Sequence, residues 1–217
     1  MSILVVDVGT SSVRAAILGP DPRIQHEEVR PLLPASPAPG LVEFDAEVMA
    51  ATALDAARAA LDAAGPVDAV GIANQRGSTI VWDRATGETV GPGLGWQDLR
   101  TVGRCLELRA QGFRFAPNVS ATKIEWLLDA NDAQRERDLC FGTVDSWLAW
   151  TLSEGALHVT DTSNAGITGL LRGDATGWSD APLEALRIPA SMLPRVVDSS
   201  DISCSKSLRL NLTFART

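Results

Sequence analysis

The chain of 217 residues has no tyrosine, two histidines, three cysteines and only 5% aromatic residues. Whatever site it builds is therefore built without a phenol. His26 sits among charged residues as a solvated side chain would, and His158 has no second histidine near it, so no metal centre based on histidine is expected. Cys105, Cys140 and Cys204 are odd in number and lack metal-ligand spacing. A disulfide framework is not expected, and the expected compartment is a reducing cytoplasm. Positive charge is also short: 19 Lys and Arg stand against 27 Asp and Glu, a net charge of −8. That balance argues against nucleic acid or an anionic membrane as a partner. No stretch approaches the ~18 consecutive apolar residues of a bilayer span. The first residues lack the basic flank and cleavage site of a signal peptide, so the sequons at Asn118 and Asn211 are read as chance.

What is present is a globular composition, 45% hydrophobic and 21% charged, with a distinctive opening. Ser2-Ile-Leu-Val-Val-Asp7-Val-Gly9-Thr10-Ser11-Ser12-Val-Arg14-Ala-Ala-Ile-Leu18 reads as strand, tight turn and strand. Asp7 near the end of a buried strand would be a costly lone charge unless it faced solvent, a partner or a metal ion. Gly9 gives the turn its backbone freedom, and the Thr10, Ser11 and Ser12 amides and hydroxyls can ring an anion. A phosphate cradle beside a carboxylate facing Mg²⁺ is one reading; an ordinary hairpin with a polar turn is the other.

Downstream, residues 31–40 hold four prolines and must cross the surface as an extended loop. A helix is predicted over 46–64, with Asp45 as N-cap, Gly65-Pro66 as stop, and Val48, Ala51, Leu54, Ala57, Arg58 and Leu61 recurring at helical spacing. Val67 to Ala73 reads as a buried strand. Asn74-Gln75-Arg76 follows at its carboxyl end, where open α/β sheets bind ligands. Trp96 is either a half-buried core residue or an apolar wall for the carbons of a sugar or polyol. Helices are also predicted over 101–110 (with Cys105, Leu106 and Leu108 inward), over 121–129 and after Thr143, and Lys123 is read as an exposed lysine at a helix start. Thr160, Asp161 and Asn164 read as turn and cap residues.

Several blocks resemble one family. Asp-x-Gly-Thr-Ser-Ser-x-Arg at residues 7–14 is similar to the first phosphate motif of the actin-like ATPases, in the form used by FGGY carbohydrate kinases. Asn74-Gln-Arg, then Trp82-Asp-Arg-x-Thr-Gly and Trp96-Gln-Asp-x-Arg-Thr, resemble the substrate-binding half of the glycerol kinases within it. Gly142-Thr-x-Asp-x-Trp-Leu-x-Trp and His158-Val-Thr-Asp add to the likeness, and the Asn74-Gln-Arg and Gly142-Thr-x-Asp-x-Trp blocks argue against another branch of actin-like ATPase.

The resemblance implies an α/β domain of the ribonuclease H-like, actin-like type with a mixed central sheet, and ATP-dependent phosphorylation of a sugar or polyol. By it, Asp7 positions Mg²⁺ and the phosphates, indirectly through the ion's water shell, while Gly9, Thr10, Ser11 and Arg14 line or brace the phosphate turn. Arg14 could instead pair with Asp7 or a neighbouring carboxylate. Gln75, Arg76, Trp96 and Asn118 would hold the substrate. Two positions depart from the pattern: Gly77 stands where glycerol kinases carry a glutamate, and Asn118 where they carry a tyrosine.

From Ile202 the character changes. Residues 202–217 contain three basic residues and no acidic one, and no Gly-Asp-Gln type motif of a second domain appears. Residues 1–201 are thus read as the kinase N-terminal domain and 202–217 as an atypical tail. The second, ATP-binding domain and the family's general base are expected to be absent, so the chain alone is expected not to turn over. Its partner would be the missing domain or a second copy of itself. The alternative expectation is a non-catalytic binding module that retains the half-fold.

Overall fold

The computed structural model describes residues 1–21 and 23–200. The chain opens with the antiparallel strands β1 (Ile3–Val8), β2 (Ser12–Leu18) and β3 (Ile24–Pro31). After the proline-rich loop come β4 (Glu43–Phe44), α1 (Ala46–Ala64) and β5 (Ala69–Asn74). β5 lies parallel to β1, giving a mixed four-stranded sheet in the order β3-β2-β1-β5. Next are β6 (Ile80–Asp83), β7 (Gly93–Leu94), α2 (Val102–Ala110), α3 (Ala121–Asn131), β8 (Leu139–Gly142) and α4 (Val144–Leu152). β9 (Val159–Asp161), α5 (Thr162–Gly166), α6 (Asp180–Ala185) and β10 (Arg195–Val197) close the described part. β6 pairs with β8, β4 with β7, and β9 with β10.

Two cores divide the molecule. In the first, alternate residues of the hairpin (Leu4, Val6, Val8, Val13, Ala15 and Ile17) pack against α1 and α4. α1 starts as predicted, with the Asp45 carboxylate accepting from the Glu47 and Val48 amides, and stops at Gly65. Its buried face keeps Leu54 and Ala57 of the predicted stripe, with Leu61 packed against the core, and adds Ala46, Met49, Ala50, Ala53, Ala56 and Ala60, while Val48 is exposed. Alanines let the helix backbone approach the sheet closely, and that close contact outweighs the transfer gain of burying one valine. The second core gathers α3, β8, Leu94, Leu108 and the loops around Leu170 and Ile188. Leu106 is exposed rather than inward, because Cys105 and Leu108 already define the buried face of α2. The change of character expected from Ile202 onward, with Cys204 and Asn211, falls outside the described residues.

Candidate functional site

Parallel pairing sets the carboxyl ends of β1 and β5 side by side: Asp7 lies opposite Ala73 and Val8 opposite Asn74. The Gln75 amide extends that ladder by donating to the Val8 carbonyl at 2.8 Å. The hairpin turn closes through the Gly9 amide, which donates to the Ser12 carbonyl at 2.9 Å. Asp7 is half-buried, on the strand face away from Leu4, Val6 and Val8. Its carboxylate has no hydrogen-bond or ion-pair partner among the described residues. Ser11 is exposed at the turn. Arg14 stands opposite Asp7 in register but reaches instead to Glu27 Oε1 at 3.0 Å, in a pair about half exposed at both ends. Such a pair contributes about 0–1 kcal/mol.

The second group of residues closes on the same place from other elements. Trp96, 39% exposed, donates from its indole Nε1 to Thr10 Oγ1 at 3.3 Å. Gly77 holds φ +80°, and a Cβ there would lie 2.7 Å from the Asn118 carbonyl oxygen and 3.5 Å from Trp96 Cβ. Thr10, Trp96, Gly77 and Asn118 are therefore neighbours, with Gly77 buried against Trp96 and the Asn118 carbonyl. Arg76 is exposed beside it, with no partner among the described residues. Of the expected site residues, Arg14 alone has its side chain committed to a carboxylate. Asn74 spends its side chain on structure, exchanging amide hydrogen bonds with Asn164 at 3.0 and 3.3 Å. Asn164 and Asp161 act as the expected cap and turn residues, Asp161 accepting from the Asn164 amide at 2.7 Å.

Beneath Trp96 lies a charged network that the sequence reading missed. Asp98 is completely buried; it accepts from the Val42 amide at 2.6 Å and from Arg100 Nε at 2.8 Å. Arg100 continues to Glu43 at 2.7 Å and lies 4.4 Å over the Trp126 ring. Burial would raise the Asp98 carboxyl, but hydrogen bonds from Arg100 and from the Val42 and Arg100 amides hold it below the usual carboxylate range. Lys123, expected to be exposed, is completely buried. Its Nζ donates to the carbonyls of Gly95 at 2.8 Å and Trp96 at 3.3 Å. Desolvation brings its ammonium down to about 8, with Asp98 and Cys105 opposing that fall and Arg100 adding to it. The signal was present in the sequence: position 123 is one turn before Leu127, and hence on the buried side of α3.

The sequence of the N-terminal domain of the FGGY family of carbohydrate kinases matches residues 2–210 of the chain. The chain belongs to that family. Its relatives include a glycerol kinase of Aromatoleum aromaticum, 42% identical over 218 residues, an alignment covering 92% of this chain and 44% of that protein. Among solved structures, Plasmodium falciparum glycerol kinase with ADP is similar with a TM-score of 0.85 at 24% identity, over 90% of this chain and 42% of that one. A xylulose kinase from Brucella ovis follows with a TM-score of 0.79 at 22% identity, over 91% of this chain and 42% of that one. These likenesses show the actin-like sugar-kinase fold expected from the resemblance. The chain spans less than half the length of the relatives it matches. Among the described residues, no helix is long and apolar enough to cross a membrane.

Proposed function

We propose that the carboxyl ends of β1 and β5 hold the acceptor and the phosphates in an ATP-dependent carbohydrate or polyol kinase, and that this chain is its N-terminal half. The observation that carries the reading is the hydrogen bond from Trp96 to Thr10, with Trp96 and the Asn118 carbonyl both against Gly77. It places a polar, anion-suited turn against an aromatic wall at the end of a parallel strand pair. The Thr10 and Ser11 amides and hydroxyls take the phosphates, Gly9 shapes the turn through its bond to the Ser12 carbonyl, and Arg14, held by Glu27, braces the hairpin. Gln75 and Arg76 bond substrate hydroxyls, Trp96 covers the carbons, and Asn118 lines the rim.

Asp7, a carboxylate with no partner among the described residues, is the hard-oxygen donor that Mg²⁺ prefers. A bound Mg²⁺ neutralises phosphate charge during phosphoryl transfer; Asp7 would orient it, directly or through its waters. The adenine site and the base for the substrate hydroxyl belong, by the family resemblance, to a second domain. The chain alone accordingly binds acceptor without turnover, and its partner is that domain or a second copy of itself. Glycerol is a poor acceptor here, because position 77 offers no carboxylate to receive hydroxyl protons.

Titrating the ¹⁵N-labelled chain with glycerol, erythritol and pentoses while following the indole N–H resonances tests this. Saturable movement of the Trp96 resonance, lost in Arg76→Ala, is expected, together with no ADP release in a coupled assay. The proposal fails if no polyol or sugar moves that resonance, or if the chain releases ADP well above a blank.

A further inference from the structure

Lys123 is buried where an ammonium is costly and a methionine would fill the space without that cost. Its Nζ reaches out of α3 to two carbonyls, those of Gly95 and Trp96, at 2.8 and 3.3 Å. Those carbonyls belong to the turn that carries the Trp96 indole, which donates onward to Thr10 at 3.3 Å. A chain of contacts thus runs from the interior of α3 through the turn to the phosphate hairpin.

We propose that Lys123 is a positioning residue: its ammonium fixes the carbonyls of residues 95 and 96 and so holds Trp96 against Thr10, making acceptor binding depend on the lysine's charge. The proposal rests on reading Trp96 as the wall of the acceptor site. The charged and titratable groups around the lysine are Asp98 and Arg100 on the turn, Cys105 on α2, and Glu43 of β4 behind Arg100. Glu125, on α3 itself, is turned away to Arg104 at 2.8 Å.

Losing the proton leaves a neutral amine, which still donates but with about half the strength of a charged donor. Because the folded ammonium titrates at about 8 rather than 10.5, the protein as a whole gains stability from this group as pH rises between those values. The Trp96 turn loosens over the first part of that same rise. A merely structural lysine gives the gain in stability and nothing at Trp96.

The Trp96 indole N–H resonance, assigned by its loss in Trp96→Phe, is followed through pH 8 in the ¹⁵N-labelled chain. It is expected to move with a midpoint near 8, while the Trp147 and Trp178 indoles, bonded to the Ala46 and Pro194 carbonyls, stay still. Lys123→Met, checked for folding by circular dichroism, should show that resonance already displaced and independent of pH; Lys123→Gln, which keeps an N–H donor, should restore part of its position. With erythritol as probe, the Kd should rise about 3- to 10-fold above the midpoint in the wild type and stay flat in Lys123→Met. A Trp96 resonance indifferent both to pH and to Lys123→Met overturns the proposal. Should Lys123→Met not fold, the wild-type titration decides alone. If no acceptor binds at all, the acceptor-site reading falls, yet the indole titration still reports on Lys123.

Discussion

Replacing Gly77 with alanine puts a methyl group where the Asn118 carbonyl oxygen already lies within 2.7 Å. Two costs arise. The backbone at φ +80° is the left-handed conformation, which costs an L-residue with a side chain about 1–2 kcal/mol. The new methyl meets backbone rather than a movable side-chain end, so the 116–119 turn must shift, an overpacking cost of about 1–3 kcal/mol. Gly112→Ala separates the two: Gly112 ends α2 in the left-handed conformation, with the Phe113 amide bonded back to the Leu108 carbonyl at 3.0 Å, and has φ +93° but nothing within 4 Å of an added Cβ, so it bears the backbone cost alone. The two variants should then differ by about 1–3 kcal/mol, which in a chain of this size is about 2–12 °C in Tm. Thermal and urea unfolding followed by far-UV circular dichroism reads both. If Gly77→Ala melts no lower than Gly112→Ala, the Asn118 backbone does not sit against residue 77, and the grouping of residues built on it is wrong.

Asp98→Asn should lower stability by about 1–3 kcal/mol, since it removes one of the two carboxylates that hold Arg100 and leaves it Glu43. Because the folded Asp98 carboxyl is held below its ordinary 3.8, its contribution is present above that value and lost as pH falls through the folded one. The variant should flatten the acid limb of a plot of urea midpoint against pH. The wild-type stability minus that of Lys123→Met should rise by about 3 kcal/mol between pH 8 and 10.5, the linkage expected for an ammonium lowered to about 8. The difference must be taken because Cys140, whose thiol burial pushes up to about 12, works in the opposite sense as pH rises from 9. Asp161→Ala should cost about 0.5–2 kcal/mol through loss of the α5 cap, with no effect on the Trp96 resonance; a moved resonance would join β9 to the site.

The hairpin, α1 with both its ends, and the strand leading to Gln75 were legible in the sequence because each is punctuated locally, by Gly9, Asp45, Gly65 and alternating apolar residues. The inward face of α1 was legible only in part: Leu54, Ala57 and Leu61 lie on it as predicted, whereas Val48 and Ala51 do not. That choice was made by how closely the sheet could approach an alanine stripe, a property of two elements rather than of one. Lys123 was misread for a related reason: a lysine near a helix start looks solvated until the carbonyls of a turn 27 residues earlier appear beside it. Gly77 and Asn118 were both singled out, but as separate departures from a pattern. Their contact makes them a single one, since the bare α-carbon of residue 77 is what admits the backbone of residue 118.

The register that places Ile3 beside Ala69 and Val8 beside Asn74 also sets an order of events during synthesis. Domains fold as their residues leave the ribosome, amino end first. All four strands of the mixed sheet, and the helix α1 that covers it, are complete once residue 74 has emerged. At that point the hairpin turn can already close through Gly9, while Trp96, Asn118 and the lysine beneath the indole have yet to emerge. The sheet is therefore exposed before the residues of β6, β8 and α4 that complete its core, Ile80, Trp82, Cys140, Val144, Trp147 and Leu148. The turn at Gly9 and the indole that bonds to it thus reach the folding chain at different times.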